Sequence, residues 1–251
     1  MSETQESFIS HLIELRTRLM HAVGAIAVVF IALFLWPGSG YIYDLLAAPL
    51  IAVMGPDAKM IATGVITPFM VPVKVTALVG FMVALPYVLY QAWAFVAPGL
   101  YEHEKKLAAP LIVASSVLFF IGVAFCYFFV FGKVFAFIHD FAPKSITPAP
   151  DIEAYFSFVI TMFLAFGITF EIPIVVIVLV RMGLVTVEKL REARPYVVVG
   201  AFVVAAVVTP PDVLSQFMLA VPMCLLYEAG VFLSRFIAVR PKEESEFKTQ
   251  P

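Results

Sequence analysis

Carboxylates set among apolar residues are the chemically unusual feature of this sequence. Glu171 stands inside Ala154–Val180, a stretch otherwise almost free of charge, and Pro173 follows it two residues later. An ionised group inside a hydrocarbon core is costly, so a residue of this kind faces protein or water. Pro173 has no N–H, which deprives the Thr169 carbonyl of its helical partner. Gly167, one turn before Glu171, is expected to leave room beside it. The stretch reads as a membrane span with a polar notch.

Other carboxylates lie near basic residues. Glu14 precedes Arg16 and Arg18, and Glu102 and Glu104 precede Lys105 and Lys106 in FVAPGLYEHEKK. Spacing alone leaves two readings open. These groups pair with Lys105, Lys106 and Arg16, or they are held for a ligand. Glu228 is expected near Arg235 at a membrane interface. No Ser/His/Asp, Cys/His or metal-ligand set is visible, so no catalytic residue, metal or cofactor is assigned. The four histidines are scattered, with His11 and His103 expected on one side of the membrane. No Walker A motif is present, so any energy comes from a source other than a nucleotide bound there. Cys126 and Cys224 sit in apolar runs and read as small core residues.

Composition sets the frame for these groups. The chain has 251 residues, 62% hydrophobic and 14% charged, with a mean hydropathy of +1.00. Soluble domains run about 45–50% apolar and about 25% charged. The sequence therefore reads as an all-α polytopic membrane protein. Its net charge of −2 speaks against a nucleic-acid partner. The polar N-terminal residues show no cleavable signal pattern.

Six spans are expected. Phe8, Leu12, Leu15 and Leu19 recur at helical spacing, so residues 8–18 read as an amphipathic segment at the membrane surface. Spans follow at Leu19–Trp36, Pro68–Phe95, Leu107–Gly132, Ala154–Val180, Pro195–Val208 and Val213–Ser234. The loop after the first span carries Pro49, and its apolar pieces read as short surface helices. Pro72 and Pro86 are expected to bend the second span, and Lys74 to snorkel to the interface. Residues 133–153 read as a turn-rich loop. The fifth span is short, at about 21 Å of helix, and the turn from Thr209 to Asp212 is tight. Gln216 begins the sixth span and is expected to hydrogen-bond an incoming partner helix.

Six spans put both termini on one side. Twelve Lys and Arg fall on the side of the termini and three (Lys59, Lys133, Lys144) on the other. That bias puts both termini in the cytoplasm. Residues 1–240 read as one membrane domain and 241–251 as a flexible cytoplasmic tail.

Five stretches together resemble the TatC family, the receptor subunit of the twin-arginine protein translocase. They are SHLIELRTRL (Ser10–Leu19), FVAPGLYEHEKK, AFGITFEIP (Ala165–Pro173), RPYVVVGAFVVAAVVTPPD (Arg194–Asp212) and SRF (Ser234–Phe236). The resemblance runs from about Phe8 to Phe236. It implies a concave bundle of six helices in the cytoplasmic membrane, in contact with lipid. It also implies an oligomeric complex with TatB and TatA, recognition of twin-arginine signal peptides on folded precursors, and use of the proton-motive force. By motif, Glu14 and Glu104 would bind the two arginines, with Phe95 in the same site. Glu171 would be the intramembrane polar residue of the concave face. Thr209 and Gln216 would lie where a partner helix docks, with Pro49 and Asp212 in structural roles.

One rival class is a proton-coupled secondary transporter using Glu171 and Glu228. Against it, the sequence shows no inverted repeat and no matching pair of broken helices. A passive membrane scaffold is a third class.

Overall fold

Glycine and proline punctuate the helices. The computed structural model describes residues 3–55, 59–96, 108–141, 143, 149–209 and 212–237. The first helix, α1 (Glu3–Leu33), runs without a break. The segment 8–18 is therefore continuous with the first span in one helix, and no separate surface helix forms there. Nothing between Phe8 and Leu33 stops a helix, and the Glu14–Arg18 pair at i,i+4 supports it.

Trp36 precedes proline and is extended (φ −154°, ψ 125°), as the residue before a proline tends to be. The chain then turns into α2 (Ser39–Met54). This is one continuous helix where several short ones were expected. Gly38 and Gly55 bracket it at φ 96° and 98°, a backbone region that side chains disfavour. Ile42, Leu46, Ala47 and Leu50 are buried, so α2 is packed into the protein as well as lying at its end.

The second span, α3 (Thr67–Val96), passes through Pro72 and Pro86. The third is longer than expected. It comprises α4 (Ala108–Phe125), a π-helical turn (Cys126–Val130) and α5 (Phe131–Phe141). The expected loop from Lys133 is thus helical as far as Phe141. The reason is an amphipathic pattern: Val134 and Phe135 are buried while Lys133, His139 and Asp140 are exposed. The fourth span breaks into α6 (Ile152–Phe170) and α7 (Ile172–Arg181). A short helix, α8 (Val187–Glu192), sits in the basic loop. The remaining two are α9 (Arg194–Val208) and α10 (Val213–Ile237).

Five stretches among the described residues are long and apolar enough to cross a bilayer, and α9 is a shorter apolar sixth. At 15 residues, α9 is about 22 Å long. The architecture is all-α and multi-pass. Within it, α1 packs along α3, α4 along α6, and both α7 and α9 along α10. Glycines permit the close approaches. A Cβ on Gly122 would meet the Phe166 carbonyl oxygen at 2.6 Å, and one on Gly230 would meet Pro173 Cα at 2.9 Å. Cys126 and Cys224 are both free.

Candidate functional site

The end of the bundle that carries the start of α1 also carries the end of α3. His11, Glu14 and Arg18 recur at helical spacing along α1. The Phe95 ring, near the end of α3, stacks on His11 with centroids 4.3 Å apart and planes 23° apart. Arg18 Nε and Nη2 donate to Glu14 Oε1 at 2.9 and 2.6 Å. The partner of Glu14 is thus Arg18 and not Arg16, because residues two apart do not face each other on a helix and residues four apart do. The two side chains remain 35% and 27% exposed, so the pair is open to exchange with a ligand. Glu102, Glu104, Lys105, Lys106 and His103 lie outside the described residues.

Glu171 sits at the break between α6 and α7 and is half-buried. Its Oε1 is sealed from solvent and has no hydrogen-bond partner among the described residues. The space expected beside Gly167 is not open. The ring of Phe119 fills it so closely that a Cβ on Gly167 would collide with the ring. Gly167 therefore brings α4 against α6.

Between α9 and α10, Thr209 is buried and donates its hydroxyl to the Ala205 carbonyl at 2.8 Å. Asp212 caps α10 by accepting from Ser215 N at 2.7 Å through Oδ1. Its Oδ2 and the Ser215 hydroxyl are buried without partners among the described residues. Gln216 donates from Nε2 to the Phe202 carbonyl at 3.2 Å, tying α10 to α9. Pro210 and Pro211 lie outside the described residues.

Pro49 lies inside α2. Without an N–H it leaves the Leu45 carbonyl free. The Tyr127 hydroxyl donates to that carbonyl at 2.8 Å, and Tyr155 donates to the Leu46 carbonyl at 2.8 Å. Sequence reasoning named Pro49 but missed both tyrosines, and no spacing rule connects positions so far apart. It also missed the ties between the loops. Asp151 Oδ2 accepts from Thr63 N and Oγ1 at 3.1 and 2.8 Å, beside a parallel bridge between Ile61 and Asp151. Lys74 does not merely snorkel, since it pairs with Glu153 at 3.0 Å. Glu228 pairs with Arg194 at 2.6 Å, while Arg235 lies over the Phe232 ring. The expected Glu228–Arg235 proximity is thus replaced by a tie across to α9. Arg194 opens α9 and Glu228 lies in the later part of the antiparallel α10, which brings the two heads together.

The profile of the family described as Sec-independent protein translocase protein (TatC) matches residues 10–222. The chain belongs to the TatC family. It is 49% identical to the TatC protein of Haemophilus influenzae, over the whole of both chains. It is 47% identical to that of Escherichia coli, over 97% of this chain and 94% of the other. A crystal structure of the twin arginine translocase receptor TatC superimposes with a TM-score of 0.79 at 38% identity. That match covers 90% of this chain and 99% of the other.

Proposed function

We propose that this TatC-family chain is the receptor and core subunit of a twin-arginine translocase. It binds signal peptides that carry two consecutive arginines on folded precursors. With the single-span proteins TatB and TatA it exports those precursors across the cytoplasmic membrane, drawing on the proton-motive force. Both termini are cytoplasmic, residues 1–240 are the membrane domain and 241–251 a cytoplasmic tail. It acts as a receptor and carries out no chemistry of its own.

Glu14 and Glu104 take the two guanidiniums, and Phe95 belongs to the same site. Glu171 offers a polar group to the concave intramembrane face. Thr209 and Gln216 meet a partner helix. Gln216 uses one amide donor on Phe202, so its carbonyl and its second N–H are the groups offered to that helix. Pro49 and Asp212 hold the backbone around them.

The observation that carries the reading is at Glu14. This carboxylate accepts from a guanidinium at 2.6 and 2.9 Å, within a turn of an aromatic stack. A guanidinium suits such a carboxylate better than an ammonium does, because its donors form a rigid planar fork. The carrier reading finds less support, since Glu228 is ion-paired with Arg194. The test is purification of the chain from membranes with a tagged twin-arginine precursor or its Lys-Lys variant. Retention of the Arg-Arg precursor alone is expected, and equal retention of both contradicts the reading.

A further inference from the structure

Glu14 is occupied before any signal peptide arrives. Arg18, one turn further along α1, places on it the same chemical group that the ligand would bring. We propose that Arg18 is a built-in competitor at the recognition site: its guanidinium holds Glu14 in the unliganded receptor and is displaced by an arginine of the signal peptide. The inference rests on the reading of Glu14 as a signal-peptide acceptor and adds a residue that sets how tight a ligand must be.

The geometry of the pair carries the proposal. Arg18 Nε and Nη2 both end on Oε1, at 2.9 and 2.6 Å. A guanidinium that spans both oxygens of a carboxylate makes two parallel contacts. Arg18 engages one oxygen only, whereas an arginine from another chain approaches without the tether of a shared helix. The ligand therefore has access to a better contact than the one it replaces.

The pair is also built to exchange. It joins partly exposed neighbours one turn apart on a single helix, and such pairs contribute little to stability. Once released, the long Arg18 side chain can extend toward water. His11 of the same helix and Phe95 of α3 are held by their own stack and do not depend on the pair.

Competition raises the apparent dissociation constant of every cation at Glu14 by one common factor. A single ammonium then falls below the working range, while a pair of well-seated guanidiniums stays within it. Arg18 thereby keeps lysine-rich segments off a carboxylate that would otherwise stand open.

The test titrates a fluorescent Arg-Arg signal peptide against the full chain in lipid nanodiscs. The variants are Arg18→Gln, Arg18→Lys, Glu14→Ala, and each Arg18 variant combined with Glu14→Ala. Thermal melting of each checks the fold. A competitor predicts that Arg18→Gln tightens binding about 1.4- to 2.3-fold, and that Arg18→Lys tightens it less but measurably. Both gains vanish in the Glu14→Ala background. If Arg18→Gln and Arg18→Lys both weaken binding, or leave it unchanged, the proposal is overturned and Arg18 only supports Glu14 or the helix. A gain from Arg18→Gln that persists without Glu14, or that Arg18→Lys fails to share, also overturns it, because simple charge repulsion then accounts for the effect. Should Arg18→Gln fail to fold, the Arg18→Lys arm decides alone. A separate outcome, Glu14→Ala binding like the parent, removes the recognition reading itself.

Discussion

The two ends of this bundle are held in different ways. At the end with the start of α1, the contacts around Glu14 and Phe95 are one turn long or a single stack, Arg18 on Glu14 and Phe95 on His11, while Arg194–Glu228 and Tyr227–Leu190 tie α9 and α8 to α10. At the opposite end, contacts join residues far apart in the chain. Tyr155 reaches Leu46, Tyr127 reaches Leu45, Thr63 reaches Asp151, and Lys74 reaches Glu153. The Glu14–Arg18 pair, within one helix, can exchange without loosening the bundle. The other end stitches two loops and α2 into a cap. A receptor needs both, because exchangeable groups recognise a ligand only if the helices that carry them are held apart at a set distance.

Breaking the fixed part first should have the largest effect. Gly122 lets α4 meet α6, and a Cβ there would press on the backbone oxygen of Phe166 at 2.6 Å. Gly122→Leu adds a whole side chain at that point. Overpacking of this kind costs about 1–3 kcal/mol or more, and a lower melting temperature in detergent, with loss of folded yield, is expected. A melting temperature like that of the parent would mean that α4 and α6 can separate freely.

The cap comes next. Tyr155→Phe removes a buried donor and leaves the Leu46 carbonyl short of a partner, at a cost of about 1–3 kcal/mol. Tyr127→Phe acts at an exposed bond and should cost less, about 0.5–1.5 kcal/mol. Thermal melts of the two variants give the order. A larger loss for Tyr127→Phe would reverse the account of how α2 is held.

How far the sequence reveals this difference is instructive. The spans, the break at Glu171 and the end of the first helix at Pro37 follow from apolar runs and from proline, which act locally. The helical extension to Phe141 was hidden because Lys133 looks like a span boundary, although Val134 and Phe135 keep a buried face going. The residues at the start of α1 and the end of α3 were legible as motifs, since Glu14 and Phe95 stand in recognisable strings. Their partners were less so. Choosing Arg18 over Arg16 needs helical register, which becomes secure only once the helix is seen to begin before Glu14. The cap was not legible at all, because a tyrosine hydroxyl and a carbonyl separated by 109 positions leave no pattern in the chain.

A smaller effect sharpens the comparison through pH. Asp151 accepts from the Ala154 amide, from Thr63 and from the Glu153 amide, and these bonds hold its carboxyl below the ordinary carboxylate range. A depressed value in the folded state gives a contribution that is complete above the unfolded value of about 4. It is lost as the pH falls through the folded value. The melting temperature of the parent should therefore decline on acidification below about pH 4 more steeply than that of Asp151→Asn. Parallel curves would show that Asp151 does not latch the loops.

The most direct test of the central claim is the affinity of a twin-arginine precursor for four receptors in membranes: the parent, Glu14→Ala, Glu104→Ala and the double variant. Each charge-assisted pair contributes about 1.5–3 kcal/mol, or roughly tenfold to a hundredfold in affinity. Each single variant should lose about that factor for the Arg-Arg signal and less for a Lys-Lys signal, with all four receptors folded. An unchanged Arg-Arg affinity in the double variant would contradict the account and leave Glu14 as no more than the helical partner of Arg18.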